Sequence, residues 1–120
     1  MRGIIRGVDG HHCELLASAW EFCASPPDGA ATPAALAATN PAWLPTHVPT
    51  TAAASLRELG AWSLAGAARR FDGEDWWFRC QFATAPVRDG ESLVLGFDGL
   101  ASVAEVWLNG EPLLDRKSVV

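Results

Sequence analysis

At 120 residues the chain suits one domain of ordinary size. An apolar share of 49% against 19% charged argues against disorder. A net charge of −5, with no basic cluster larger than the pair Arg69-Arg70, lacks the electrostatic footprint of a nucleic-acid partner. No run approaches the roughly 18 apolar residues of a membrane span, and residues 1–10 have no signal-peptide core. The expectation is therefore a soluble, cytoplasmic chain with neither a nucleic-acid nor a membrane partner. Six Trp, five Phe and no Tyr, spaced by turn residues, favour strands over a helical bundle. Cys13, Cys23 and Cys80 are odd in number and far apart. Reduced, mostly buried thiols are the reading, not a disulfide framework.

Residues 1–14 read as a disordered leader. His11-His12-Cys13 within it suggests a metal site, but neighbours on an extended chain point to opposite faces. No second Cys/His pair has ligand spacing either, so neither a metal nor another cofactor is expected. The first strand is predicted over Leu15–Ala24, with Leu16, Trp20 and Phe22 on one face. Ser25-Pro26-Pro27-Asp28-Gly29 ends it. The Ala-rich stretch 30–40 reads either as a short helix capped by Thr32 with Pro33 in its first turn, or as an exposed loop. Pro45 and Pro49 keep residues 42–51 extended and away from a central sheet position. A short helix near 51–59 is predicted next, capped by Thr50 or Thr51. Ala52, Leu56 and Leu59 would share its face, and Gly60 would stop it.

Asp75–Ala83 shows the clearest strand pattern. Trp76, Phe78, Cys80 and Phe82 alternate with Trp77, Arg79 and Gln81. Turn residues follow at Ala85-Pro86 and Asp89-Gly90, then a strand over Ser92–Asp98. Ala104–Leu108 leads into Asn109-Gly110, a strong hairpin signal, with Pro112-Leu113-Leu114 beginning the return. Several short strands separated by turns predict a β-sandwich. Only four or five strands fit, so the sandwich over 15–114 is expected to be partial, with 115–120 as an atypical tail.

Three segments, in order, resemble the N-terminal module of family 2 glycoside hydrolases. Trp43-Leu44-Pro45-Thr46-His47-Val48-Pro49-Thr50-Thr51 is similar to a tryptophan followed by a Val-Pro-Gly-Thr motif. Glu74–Phe82 resembles the Asp-Trp-Trp-Tyr-Arg-x-x-Phe strand of β-mannosidase-like members. Leu95–Gly110 is similar to a strand, loop and hairpin ending in Val-Trp-Leu-Asn-Gly. The resemblance covers about residues 15–114. It implies an all-β, galactose-binding-like jelly-roll sandwich that precedes an immunoglobulin-like domain and a (β/α)₈ catalytic barrel. Thr50 stands where the family has Gly, and Phe78 where it has Tyr. After Leu114, the run Arg116-Lys117-Ser118-Val119-Val120 departs from the Asn-Met-Phe-like continuation, as after a frameshift. The chain is thus expected to be a truncated piece.

The resemblance implies retaining hydrolysis of β-linked sugars by two barrel glutamates. A barrel takes about 250 residues, and none of the chain's glutamates matches a catalytic motif, so no catalytic residue is assigned. The acidic group Asp72, Glu74 and Asp75 reads as a solvated turn, with Asp75 paired to Arg79 or Arg70. Tryptophan faces suit the apolar face of a pyranose. Trp20 and Trp76 fall on inward faces and read as core. Trp43, Trp77 and Trp107 are the candidates for sugar contact or for packing on a neighbouring domain. Two functions follow: an N-terminal portion of a β-mannosidase-like hydrolase, inactive alone, or an independent carbohydrate-binding module.

Overall fold

The structure, a computed structural model, describes residues 3–5, 14–17, 19–83, 88–90, 92, 95–97 and 104–116. Its strands are β1 (Gly3–Ile5), β2 (Glu14–Leu16), β3 (Trp20–Ser25), β4 (Leu44–Thr46), β5 (Asp75–Cys80), β6 (Gly96–Phe97), β7 (Ala104–Leu108) and β8 (Glu111–Arg116). Two short helices, α1 (Pro33–Ala38) and α2 (Ala52–Glu58), flank β4 in sequence. All strand pairs are antiparallel, in sheets of order β2-β1-β6, β4-β3-β5 and β7-β8.

The segment expected to be a leader differs from that reading, since Gly3–Ile5 pairs with both β2 and β6. The single strand expected over Leu15–Ala24 is two. Ala19 adopts φ 60°, a left-handed conformation that a continuous strand of L-residues cannot accommodate, so pairing stops at Leu16 and resumes at Trp20. Trp20 turns its indole N–H back onto the Leu16 carbonyl at 2.9 Å across this break.

The central sheet is organised around β3. Its partner β4 carries Pro45 opposite Glu21 and takes the sheet edge, where a missing N–H is tolerated. On the other side β5 pairs along its whole length, with Phe22 opposite Phe78 and Cys23 opposite Trp77. The β3 side chains fill both faces. On one, the Phe22 ring stacks against Phe78 at 5.7 Å and Trp76 at 6.2 Å between centroids. On the other, Cys23 joins Ala30 and Leu36 in a buried cluster onto which Trp43 and Trp77 pack.

Both helices obey their sequence signals. In α1, Thr32 accepts the Ala35 N–H at 3.1 Å and Pro33 occupies the first turn. The Ala-rich stretch is therefore a helix, so the described residues hold two short α-helices where one was expected, and Leu36 is its buried anchor. In α2, Thr51 is the cap, accepting the Ala54 N–H at 3.1 Å. Gly60, at φ 74°, closes the other end: the Ala61 N–H reaches the Leu56 carbonyl and the Gly60 N–H that of Arg57. That is the double hydrogen bond of a Schellman ending. Leu59, expected on the inward face, is instead the C-cap and lies exposed. Ser55 takes the buried position and links α2 to β4 through Thr46 at 2.6 Å, with Thr50 at 3.2 Å. Replacing the cap, Thr51→Ala, is expected to cost about 1 kcal/mol, read as a lower urea midpoint with unchanged slope.

The hairpin β7–β8 turns at Asn109 and Gly110, whose φ values of 51° and 81° meet the left-handed requirement of a two-residue turn. The register shifts between Val106 and Trp107, which face Leu114 and Pro112. That irregularity fits a strand containing proline. The strand runs to Arg116, so Asp115 and Arg116 belong to it and not to an atypical tail.

Two further expectations are corrected. The strand beginning at Asp75 ends at Cys80, leaving Phe82 outside it and 36% exposed. Of the strand expected over Ser92–Asp98, Gly96–Phe97 is observed, and most of the rest lies outside the described residues, as do Ala85-Pro86 and His11-His12-Cys13.

Candidate functional site

The Glu21 and Arg79 positions are opposite one another in the β3–β5 register. Their side chains meet, the Arg79 Nε donating to Glu21 Oε1 at 3.2 Å. The same guanidinium lies 3.8 Å from the centroid of the Trp43 ring. A cation on an aromatic face and a carboxylate on its Nε hold this arginine in one orientation. Sequence pattern placed Trp43 among the candidates but not Glu21 or Arg79. Their opposite charges are visible in the chain, yet only the pairing register brings them together.

A cavity of about 760 Å³ opens beside this pair. Every residue from Trp76 to Phe82 and every residue from Glu105 to Gly110 lines it. Side chains alternate across a strand, so unbroken runs from two strands mean that the cavity follows their edges. Trp43, Trp77 and Trp107, the three tryptophans singled out from sequence, all line it. They are not equivalent. Trp43 and Trp77 pack on the Cys23–Ala30–Leu36 cluster, and the Trp77 N–H donates to Ser25 Oγ at 3.2 Å. Both rings are partly buried by these contacts. Trp107 sits on the β7 strand, and its buried indole N–H has no acceptor among the described residues. Burial pushes the thiols of Cys23 and Cys80 up from their usual value, and at Cys23 the nearby Arg79 pulls weakly the other way.

The acidic group does not converge on a shared site. Asp75 accepts the backbone N–H of Asp28 at 3.0 Å, in place of the expected pairing with Arg79 or Arg70. Glu74 takes Arg69 through two bonds of 2.9 and 3.0 Å, and Asp72 lies 3.7 Å from Arg70. Arg69 in turn covers Trp76 at 5.0 Å and Phe71 at 5.7 Å from the ring centroids. The Trp62 ring meets Phe71 edge-on at 5.2 Å, and Phe71 lies 5.5 Å from Trp76. A row of aromatic rings therefore runs from the 60–70 loop through Trp76 to Phe22 and Phe78.

A family model described as glycosyl hydrolase 2 galactose-binding domain-like matches residues 20–119. The chain belongs to this family. No curated protein and no solved structure matches it. The match to the galactose-binding-like domain begins at Trp20, the first residue of β3. It takes in both helices, the Arg79 cluster and the β7–β8 hairpin. It also runs through residue 119, so the departure after Leu114 does not end the family likeness. The antiparallel strands with flanking short helices agree with a galactose-binding-like β-sandwich as found at the N-terminus of family 2 glycoside hydrolases.

Proposed function

We propose that the chain is the N-terminal, non-catalytic β-sandwich portion of a β-mannosidase-like glycosidase. In this reading it works in the cytoplasm beside an immunoglobulin-like domain and a (β/α)₈ barrel, and the barrel carries the chemistry. The observation that carries the reading is the segment Glu74–Phe82, whose Asp-Trp-Trp-Phe-Arg run resembles β-mannosidase-like members. It sits inside a family match over residues 20–119. Retaining hydrolysis needs an acid/base and a nucleophile with carboxyl groups about 5–5.5 Å apart. The carboxylates of Glu21, Glu58 and Glu74 are turned instead to Arg79, His47 and Arg69. Such exposed pairs contribute about 0–1 kcal/mol each. The barrel that supplies the catalytic pair elsewhere takes about 250 residues, against the 120 of this chain.

The purified chain is expected to release no aryl alcohol from an aryl β-mannoside above the buffer rate. Turnover that follows the chain through two unrelated purification steps would overturn the non-catalytic reading. A polypeptide joining this domain to a barrel with two motif-borne glutamates is expected to hydrolyse the same substrate. Preference there for a β-galactoside or β-glucuronide would overturn the β-mannosidase assignment alone.

A further inference from the structure

An open sheet edge offers its row of N–H and C=O groups to any strand that reaches it, and proline, shortness or an irregular register blunts it. Most edges here are blunted. Pro45 lies in β4, and the sheet β2-β1-β6 ends in strands of three and two residues. β8 carries Pro112, and the β7–β8 register shifts between Val106 and Trp107. The edge of β5 has none of these devices. It is six residues long, without proline or lysine, and pairs with β3 in unbroken register. On its other side it has no strand partner among the described residues. Residues from both faces of β5 line the cavity of about 760 Å³, as an open edge requires.

We propose that this edge joins two copies of the chain, their β5 strands paired antiparallel about a two-fold axis at Trp77. Asp75-Trp76-Trp77-Phe78-Arg79 is complementary to its own reverse. With Trp77 opposite its mate, Asp75 meets the other copy's Arg79, and Trp76 meets the other copy's Phe78. Opposed residues share a face of the sheet. Trp76 and Phe78 both stack on Phe22, so the pairing continues that aromatic row across the axis. The charges meet on the other face, and each has capacity left. Glu21 takes the Nε of Arg79, leaving its two outer nitrogens, and the Asp28 N–H takes only Oδ2 of Asp75. A slip of one residue would set Arg79 against the aromatic row, and a slip of two would lose the charge pair. The open edge of β7 offers no such match, because Glu105 is the one charged residue in that strand. The pairing holds or fails independently of the glycosidase reading.

The test is sedimentation equilibrium of the 120-residue chain from about 1 to 300 µM. A monomer–dimer equilibrium with a Kd on the order of 10 µM is expected, as suits a small interface. Asp75→Arg and Arg79→Glu, each alone, should weaken dimerisation at least about tenfold, because each sets like charges opposite one another twice per dimer. An equimolar mixture of the two variants restores opposite charges at both positions and should dimerise as the parent does. Register is read by Glu74→Cys, since position 74 falls opposite Cys80 of the other copy. Opposed Cα atoms in an antiparallel pair lie about 4.5–5.5 Å apart, within disulfide reach. Within one chain the same two positions are about 20 Å apart along an extended strand, so no internal bridge can form. Mild oxidation should therefore give a covalent dimer whose linking peptides contain position 74 and Cys80. Arg79 also braces Trp43, so if Arg79→Glu fails to fold, Asp75→Arg and the cross-link carry the test. The interface is overturned by a monomer throughout the concentration range, by open-ended assembly in place of a dimer, by unchanged dimerisation in Asp75→Arg, or by absence of the 74–80 link in oxidised Glu74→Cys.

Discussion

Replacing Phe22 by alanine is expected to destabilise the domain by about 3–5 kcal/mol, the range for emptying an aromatic core site. Phe22 is fully buried, at 0% exposure, and is the ring on which Trp76 and Phe78 both stack. Removing it deletes the transfer free energy of the side chain and leaves a cavity between two rings of β5. Those rings cannot close inward, because β3 and β5 are tied residue by residue from Trp20–Cys80 to Ser25–Asp75. The measurement is the urea midpoint at constant slope. Two comparisons sharpen it. Gln81→Ala, on an exposed residue, should change stability by no more than ~0.5 kcal/mol. Phe82→Ala, outside the strand and partly in solvent, should fall well short of Phe22→Ala. Equal losses at Phe22 and Phe82 would contradict the packing described.

The second large effect is expected at Leu36→Ala, about 2–5 kcal/mol. Leu36 is 2% exposed and is the one residue of α1 that reaches the core. It covers the opposite face of β3 from Phe22, together with Cys23 and Ala30, and under Trp43 and Trp77. A six-residue helix has no stability of its own to fall back on. Losing its anchor should therefore release the helix as well as empty a site. A loss of helical signal beyond that of Thr51→Ala would report this coupling. A loss below about 1 kcal/mol would show that α1 is not fastened through Leu36.

Much of this was legible in the chain because local rules dominate at particular residues. Thr32 and Pro33, Thr51 and Gly60, and Asn109-Gly110 each fix a terminus or a turn through backbone chemistry that needs no distant partner. The alternation from Trp76 to Cys80 holds as geometry, but both faces are packed: Trp76 and Phe78 meet Phe22 while Trp77 meets the Cys23 cluster. What was not legible depends on distance or on a single backbone angle. Ala19 reads as an ordinary strand residue, yet its positive φ divides the first strand in two. Phe82 continues the period of its strand, but the pairing that would bury it stops at Cys80. In the candidate site the tryptophans are conspicuous, whereas the Glu21–Arg79 contact requires a register that no short-range signal specifies.

The two-faced strand β3 has a consequence for the order in which the domain is made. Its companions lie far downstream: Trp77 bonds to Ser25 across 52 positions of sequence. The helix that shields one side, α1, follows β3 closely, but the aromatic row that shields the other belongs to β5. Chain growth proceeds from the N-terminus at about 5–20 residues per second. For the seconds that separate β3 from β5 on that scale, Phe22 has emerged while its ring partners Trp76 and Phe78 have not. Edge strand β4 arrives in the interval and shields backbone, not rings. During synthesis, then, the vulnerable stage of this domain is a half-clad strand waiting for its partner, and the ring most buried at the end, Phe22, is one left uncovered at the beginning.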